Sequence, residues 1–194
     1  MPDPGASSSD GRPPEALGVL PAGTKLRGYE VASVLGEGGF GITYLARDVT
    51  LHREVAIKEY LPVSLALRHD GLTVLPRSTE LAADFVWGRE RFLDEARTLA
   101  RLDGTSAVVR VIDFLEANGT AYMVMALARG ETLDRRLRRQ GRLSAIEVER
   151  MLPPLLDGLE RVHAEGFLHR DIKPANIILD RQGMPTLEIG RAHV

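Results

Sequence analysis

The segment Tyr29-Glu30-Val31-Ala32-Ser33-Val34-Leu35 has the alternation of a strand and runs straight into Gly36-Glu37-Gly38-Gly39-Phe40-Gly41. On the far side, Ile42-Thr43-Tyr44-Leu45-Ala46 again reads as a strand. Strand, glycine cluster and strand together admit few structures. Glycines tolerate positive φ and let a backbone come close to a phosphate. A dinucleotide-binding turn uses the same Gly-x-Gly-x-x-Gly spacing but must open a helix. The strand-like run after Gly41 favours a β-hairpin flap over phosphates. Taken alone, the residues would also suit an ordinary glycine-rich turn.

The rest of the chain punctuates clearly. Residues 1–26, rich in Pro, Gly, Ser and Ala up to about Gly23, are expected to be a disordered leader. Val55-Ala56-Ile57-Lys58 reads as a third strand. Residues 62–84 mix turn residues with short apolar stretches and show no clear element. Phe92, Ala96, Leu99 and Leu102 recur at helical spacing within 85–102. Val108–Phe114 and Ala121–Ala126 read as strands joined by a turn at Asn118-Gly119. Thr132 can cap a short helix that Gly141 ends, and Ser144 with Glu147 forms a capping box opening a helix to about His163. Val148, Leu152, Leu155, Leu159 and Val162 supply its expected buried stripe. Pro153-Pro154 within it predicts a kink or local irregularity. Short strands are expected at Ile177–Leu179 and near Thr186-Leu187.

Bulk properties exclude several functions. A chain of 194 residues, 44% hydrophobic and 27% charged, suits one globular domain with a real core. Its net charge of −2 gives no electrostatic case for nucleic acid. With no cysteine there is no disulfide and no thiolate metal site, which fits a reducing, cytoplasmic setting. The N-terminus lacks the basic and apolar regions of a signal peptide. The longest nearly apolar run, Tyr122–Ala128, is far short of the roughly 20 residues of a spanning helix, so no membrane segment is expected.

Three further groups of residues carry chemistry. Lys58 ends a buried strand, where an ammonium costs desolvation unless it meets anions; phosphates and a carboxylate are the natural partners. The competing reading is a strand-end lysine reaching solvent. Glu95, near the apolar face of its helix, could supply the carboxylate, with Glu90 as a rival. The most specific run is His169-Arg170-Asp171-Ile172-Lys173-Pro174-Ala175-Asn176. On such a loop an Asp can accept or orient a hydroxyl proton, and an Asn carbonyl can hold a metal. A Lys can neutralise charge on a transferred phosphoryl group.

In this order and spacing, these motifs resemble the eukaryotic-like serine/threonine protein kinases of bacteria. Gly38–Ala46 and Gly119–Met125 are similar to one bacterial branch in particular. The resemblance implies an α+β, protein-kinase-like fold. It would comprise a complete N-lobe and hinge over 27–128, an antiparallel five-stranded sheet plus one helix. The beginning of a mostly helical C-lobe would follow over 129–188. It implies a transferase that moves the ATP γ-phosphate to Ser or Thr of a protein substrate, with Mg2+ as cofactor. Gly36, Glu37, Gly38, Gly39, Phe40 and Gly41 would cover the phosphates. Thr43, Ala56, Met125, Ala126, Ala128 and Ile178 would surround the base, with Met125 as gatekeeper. Lys58 would hold the α- and β-phosphates and pair with Glu95; Asp171 would be the catalytic base, Lys173 would assist at the γ-phosphate and Asn176 would bind magnesium. Arg170 would contact an activation-loop phosphate.

The sequence also departs from the family's pattern. Thr43 replaces the usual Val, Ala126 a common Glu, and the stretch from Lys58 to Glu95 is long. Counting from Asn176, the aspartate of an Asp-Phe-Gly motif should stand at 189, where this chain has Ile189. Ile189–Val194 is what one frame of a common sequencing adapter encodes, so residues 189–194 are expected to be a non-native tail from adapter read-through. The 194 residues by themselves are then expected to transfer little phosphate. The alternatives are a non-catalytic nucleotide-binding pseudokinase or truncated regulatory module, and a small-molecule phosphotransferase of the kinase-like superfamily. The latter tends to lack the Arg and Lys found here at 170 and 173.

Overall fold

A computed structural model describes residues 18–102 and 107–188. The described strands are β1 (Lys25–Leu26), β2 (Tyr29–Gly38), β3 (Gly41–Asp48), β4 (Arg53–Tyr60), β5 (Ala66–His69), β6 (Thr73–Pro76), β7 (Val111–Ala117), β8 (Thr120–Ala126), β9 (Glu131–Thr132), β10 (Ile177–Leu179) and β11 (Pro185–Leu187). The described helices are α1 (Ala82–Leu99), α2 (Leu133–Gln140) and α3 (Ala145–Ala164). One antiparallel sheet has the order β1-β2-β3-β4-β8-β7, while β11-β10-β9 and β5-β6 form two smaller sheets. The expected five strands and their helix are present, and β1 adds a sixth, two-residue edge strand.

The larger core explains the sheet's central position. β4 buries Val55, Ala56, Ile57, Glu59 and Tyr60, because both its faces are covered. On one face Tyr60 packs against Phe85 and Phe92 of α1, with ring centroids 5.4 and 5.7 Å apart. On the other, Tyr44 lies fully buried beneath Leu20 and the β5–β6 hairpin. The expected leader is therefore too long at its C-terminal end. Leu20 is 3% exposed, and its N–H donates to the Tyr44 hydroxyl at 3.1 Å. The Val31 N–H donates to the Thr24 carbonyl at 2.9 Å. Leu20 and Leu26 are apolar anchors that the average composition of the leader concealed. Residues 1–17 lie outside the described residues, as do 189–194 with the expected non-native tail.

The turn chemistry follows the sequence. Asn118 and Gly119 both have positive φ, 52° and 75°, as a tight hairpin turn demands. Thr132 accepts from the Arg135 N–H, and Gly141 closes α2 at φ 81°. Both halves of the Ser144–Glu147 capping box are formed. Helix α1 begins three residues earlier than the reading of 85–102 and ends three earlier. Strand β7 starts at Val111 rather than Val108, because Val108 bridges to Leu187 instead.

Helix α3 corrects the expected stripe. Its buried residues are Met151, Leu155, Gly158 and Val162, whereas Val148 and Leu152 are exposed together with Ile146 and Leu156. The cause is Gly158: a Cβ there would come within 3.2 Å of Ala107 and 3.1 Å of Val108. The missing side chain lets the helix approach this segment and turns its glycine face inward. α3 also continues through Pro153 and Pro154 as one element. The second core gathers Leu133, Met151, Leu155, Ile177, Leu179 and Leu187 beneath the loop that follows α3. Among the described residues no helix is long and apolar enough to cross a membrane.

Candidate active site

The glycine cluster is a hairpin. β2 and β3 pair up to Gly38 opposite Gly41, so Gly39 and Phe40 form the tip. This is strand–turn–strand geometry and not the strand–turn–helix of a dinucleotide site. The tip is tied down from below: the Leu61 N–H donates to the Phe40 carbonyl and the Val63 N–H to the Gly39 carbonyl, both at 3.1 Å. Gly41 must be glycine, because a Cβ would strike the Glu59 carbonyl on β4. Gly36 and Gly39 meet nothing within 4 Å of an added Cβ. Among the described residues their smallness serves no packing, and it keeps open the space in front of the hairpin.

That space is a cleft of about 570 Å³ between the main sheet and the loop after α3. Its wall includes Gly36, Glu37, Gly38, Gly39, Phe40, Gly41, Thr43, Ala56, Lys58, Met125, Ala126, Ala128, Ile178, Asp171, Lys173 and Asn176. Of the residues expected to bind nucleotide or metal or to act in catalysis, only Glu95 stands off the wall; the rival Glu90 and Arg170 stand off it too. Register explains the upper side: Thr43 pairs with Lys58 on β4, and Ala56 with Met125 on β8. The Ala126 N–H is taken by the Arg110 carbonyl at 2.9 Å, so Ala126 could serve a base only as an acceptor. Sequence reading missed Leu35, Val109 and Leu127, apolar residues that also line the cleft. Leu35 could have been found, since it directly precedes Gly36 at the entry to the glycine cluster. Nothing local marked Val109.

Lys58 dominates the electrostatics of the inner end. Burial pushes the Glu95 carboxyl up to about 7, and the Lys58 charge opposes that rise. Glu188 is also raised by burial, again against Lys58. Glu95 is half-buried on α1 while Glu90 is exposed, so the helix presents Glu95, not its rival, toward Lys58.

The loop after α3 is built from its own hydrogen bonds. His169 is 4% exposed; its Nε2 donates to the Glu188 carbonyl at 2.7 Å and its Nδ1 accepts the Asp171 N–H at 3.3 Å. These two roles require a neutral ring, and burial lowers the imidazole pKa accordingly. Arg170 is held at φ 55°, an unusual value for a side-chain-bearing residue, and this turns the chain so that Asp171 enters the cleft. Lys173 Nζ lies 2.9 and 3.1 Å from the Asp171 carboxylate oxygens. Asn176 Nδ2 donates to the Asp171 backbone carbonyl at 2.8 Å and to Oδ2 at 2.9 Å. The Asn176 amide nitrogen is therefore committed, which leaves its Oδ1 as the atom able to take a cation. Among the described residues no three His, Cys, Asp or Glu side chains gather to hold a metal. A magnesium ion here would need phosphate oxygens to complete its coordination, which is how this ion usually binds.

Comparison with known proteins agrees with this geometry. The protein kinase domain family model matches residues 29–190. Over 163 residues the chain is 36% identical to serine/threonine-protein kinase PknA of Nostoc sp. (strain PCC 7120), covering 82% of this chain and 26% of that protein. It is 34% identical over 173 residues to serine/threonine-protein kinase PksC of Streptomyces coelicolor, covering 84% of this chain and 28% of that one. The chain thus spans about a quarter of the length of these curated relatives. Among solved structures, the apo form of PpkA-294 superposes with a TM-score of 0.83 at 40% identity, over 90% of this chain and 62% of its own. With the hairpin flap, Lys58 and the Asp–Lys–Asn loop facing one cleft, the chain belongs to the protein kinase family.

Proposed function

We propose that this chain carries the ATP-binding and catalytic-loop portion of a serine/threonine protein kinase, acting in the cytoplasm on a protein substrate. The observation that supports it is the single cleft lined by the glycine hairpin, Lys58, the Met125–Ala128 segment and Asp171, Lys173 and Asn176. ATP would lie with its base against Ala56, Met125 and Ile178 and its phosphates beneath Gly36–Gly41. Lys58 would neutralise phosphate charge, a role suited to a lysine flanked by carboxyls that burial has weakened. Asp171 would orient the acceptor hydroxyl and take its proton. Lys173, already on the Asp171 carboxylate, can swing one donor to the transferred phosphoryl group. Asn176, through Oδ1, would help hold a magnesium ion, which when bound would offset the phosphate charge. Lys173 at this position also favours Ser or Thr over Tyr as acceptor, by likeness to the family.

A second reading rests on Ile189, which stands where the family places its principal magnesium aspartate. It makes these 194 residues a nucleotide binder without transfer. Titration with ATP and assay with labelled ATP separate the two. The expected result is ATP binding that weakens roughly 10- to 100-fold in Lys58→Met, the worth of a charge-assisted contact, with little transfer. Strong magnesium-dependent autophosphorylation would contradict the low-transfer expectation, and absence of ATP binding would overturn both readings.

A further inference from the structure

The long stretch between Lys58 and α1 contains charge that the catalytic reading does not use. The side chains of Glu59 and Arg68 form an ion pair at 0% exposure for both partners. A buried pair of this kind is poor evidence for net stabilisation, since desolvation consumes most of the attraction. What it holds in place is the better question.

Arg68 spends its donors on four parts of the chain. Nε donates to the Gly18 carbonyl at 3.1 Å and Nη1 to the Leu72 carbonyl at 2.6 Å. Nη2 reaches the Glu59 carboxylate and lies 3.5 Å from the Tyr44 hydroxyl. The Tyr44 hydroxyl in turn donates to Glu59 at 2.8 Å. Glu59 directly follows Lys58 on β4, and successive strand side chains point to opposite faces. Fixing Glu59 from the outer face therefore fixes the backbone from which Lys58 enters the cleft.

The connector pinned by Arg68 also holds the phosphate cover. Leu61 and Val63 donate their N–H groups to the two carbonyls at the hairpin tip. Arg77 Nε donates to the Val63 carbonyl at 2.7 Å, and the Arg77 N–H donates to the Leu65 carbonyl at 2.8 Å, closing the connector on itself. The Val74 N–H donates to the Asn118 carbonyl at 2.8 Å and anchors the far end. The base-binding side, Ala56 and Met125–Ala128, receives none of these bonds.

We propose that Arg68 is a positioning residue for the phosphate end of the nucleotide site, acting through the 61–77 connector on the hairpin tip and on Lys58; this rests on the kinase reading above. The asymmetry provides the test. ATP and adenosine are titrated into the 194-residue chain and into the Glu59→Gln/Arg68→Met double variant, with thermal unfolding measured in parallel. The double variant leaves no lone buried charge, so its unfolding midpoint should stay near that of the parent. Adenosine affinity should change by less than about twofold and ATP affinity should fall roughly tenfold, as misplacement of a contact by a fraction of an ångström predicts. Val63→Pro, which removes the N–H on the Gly39 carbonyl and leaves the ion pair intact, should show the same selective loss and decides the matter if the double variant does not fold. Equal loss for ATP and adenosine, or no loss for either in a folded variant, overturns the proposal. A parent chain that binds neither ligand refutes the kinase reading instead, and the proposal falls with it.

Discussion

On the outer face of β4, Glu59 meets Arg68 and Tyr44 in a fully buried site, whereas on the cleft face Lys58 lines an open cavity with Glu95 and Glu188 near enough to feel its charge. Both faces bury charge beside the same strand. On the outer face each ion is answered by a protein group, at 0% exposure. Burial raises the carboxyl pKa on both faces, for Glu59 against the Arg68 charge and for Glu95 and Glu188 against the Lys58 charge; what differs is that Arg68 is fully enclosed while Lys58 stands on the wall of a cleft. A charge enclosed by protein on every side marks structure. A charge on the wall of an open cleft marks a place for an anionic ligand.

The contrast can be broken most forcefully from the outer face. Arg68→Met alone strands the Glu59 carboxylate and should cost about 3–5 kcal/mol in urea unfolding, whereas adding Glu59→Gln should recover most of it. If the single and double variants are equally unstable, the outer-face ions do not depend on one another.

Glu95 sharpens the cleft side through pH. Its folded pKa, about 7, lies above the ordinary carboxylate value near 4.5, so the folded chain keeps a proton that the unfolded chain has released. The stability this neutral form contributes is full below about 4.5 and is lost as pH rises through 7. Urea midpoints at pH 5 and pH 8 should therefore fall further for the parent than for Glu95→Gln, by a difference on the order of 1–3 kcal/mol. Identical pH profiles would show that Glu95 is not desolvated beside Lys58. The smallest expected effect is at Gly36, where an added Cβ meets nothing within 4 Å. Gly36→Ala should change the stability of the empty chain by no more than about 0.5 kcal/mol, read from the same urea curves.

Much of the cleft was legible in the sequence because its chemistry is carried by local runs. The glycine cluster, Val55–Lys58 and His169–Asn176 each place several wall residues at once, and short-range turn signals at Asn118-Gly119 and Ser144–Glu147 located the neighbouring elements. What escaped depends on contacts distant in sequence. Leu20 reads as part of a leader until Tyr44 is seen to accept it. Arg68 sits in a stretch with no periodicity, and its partner Glu59 looks like a solvent-facing strand residue until the β5–β6 hairpin covers it. The stripe of α3 was misread for a related reason: hydrophobic periodicity gives no weight to Gly158, whose missing side chain decides which face turns inward.

The chain contains only three lysines, Lys25, Lys58 and Lys173, and the last two line the cleft. An acyl-phosphate derivative of ATP, which acylates lysines lying beside bound phosphates, therefore reads the site directly by mass spectrometry. The account predicts acylation of Lys58 and Lys173 but not Lys25, suppressed by excess ATP. Labelling of Lys25 to the same extent, or labelling of Lys58 that ATP does not suppress, would contradict the claim that this cleft is built around the phosphates of a nucleotide.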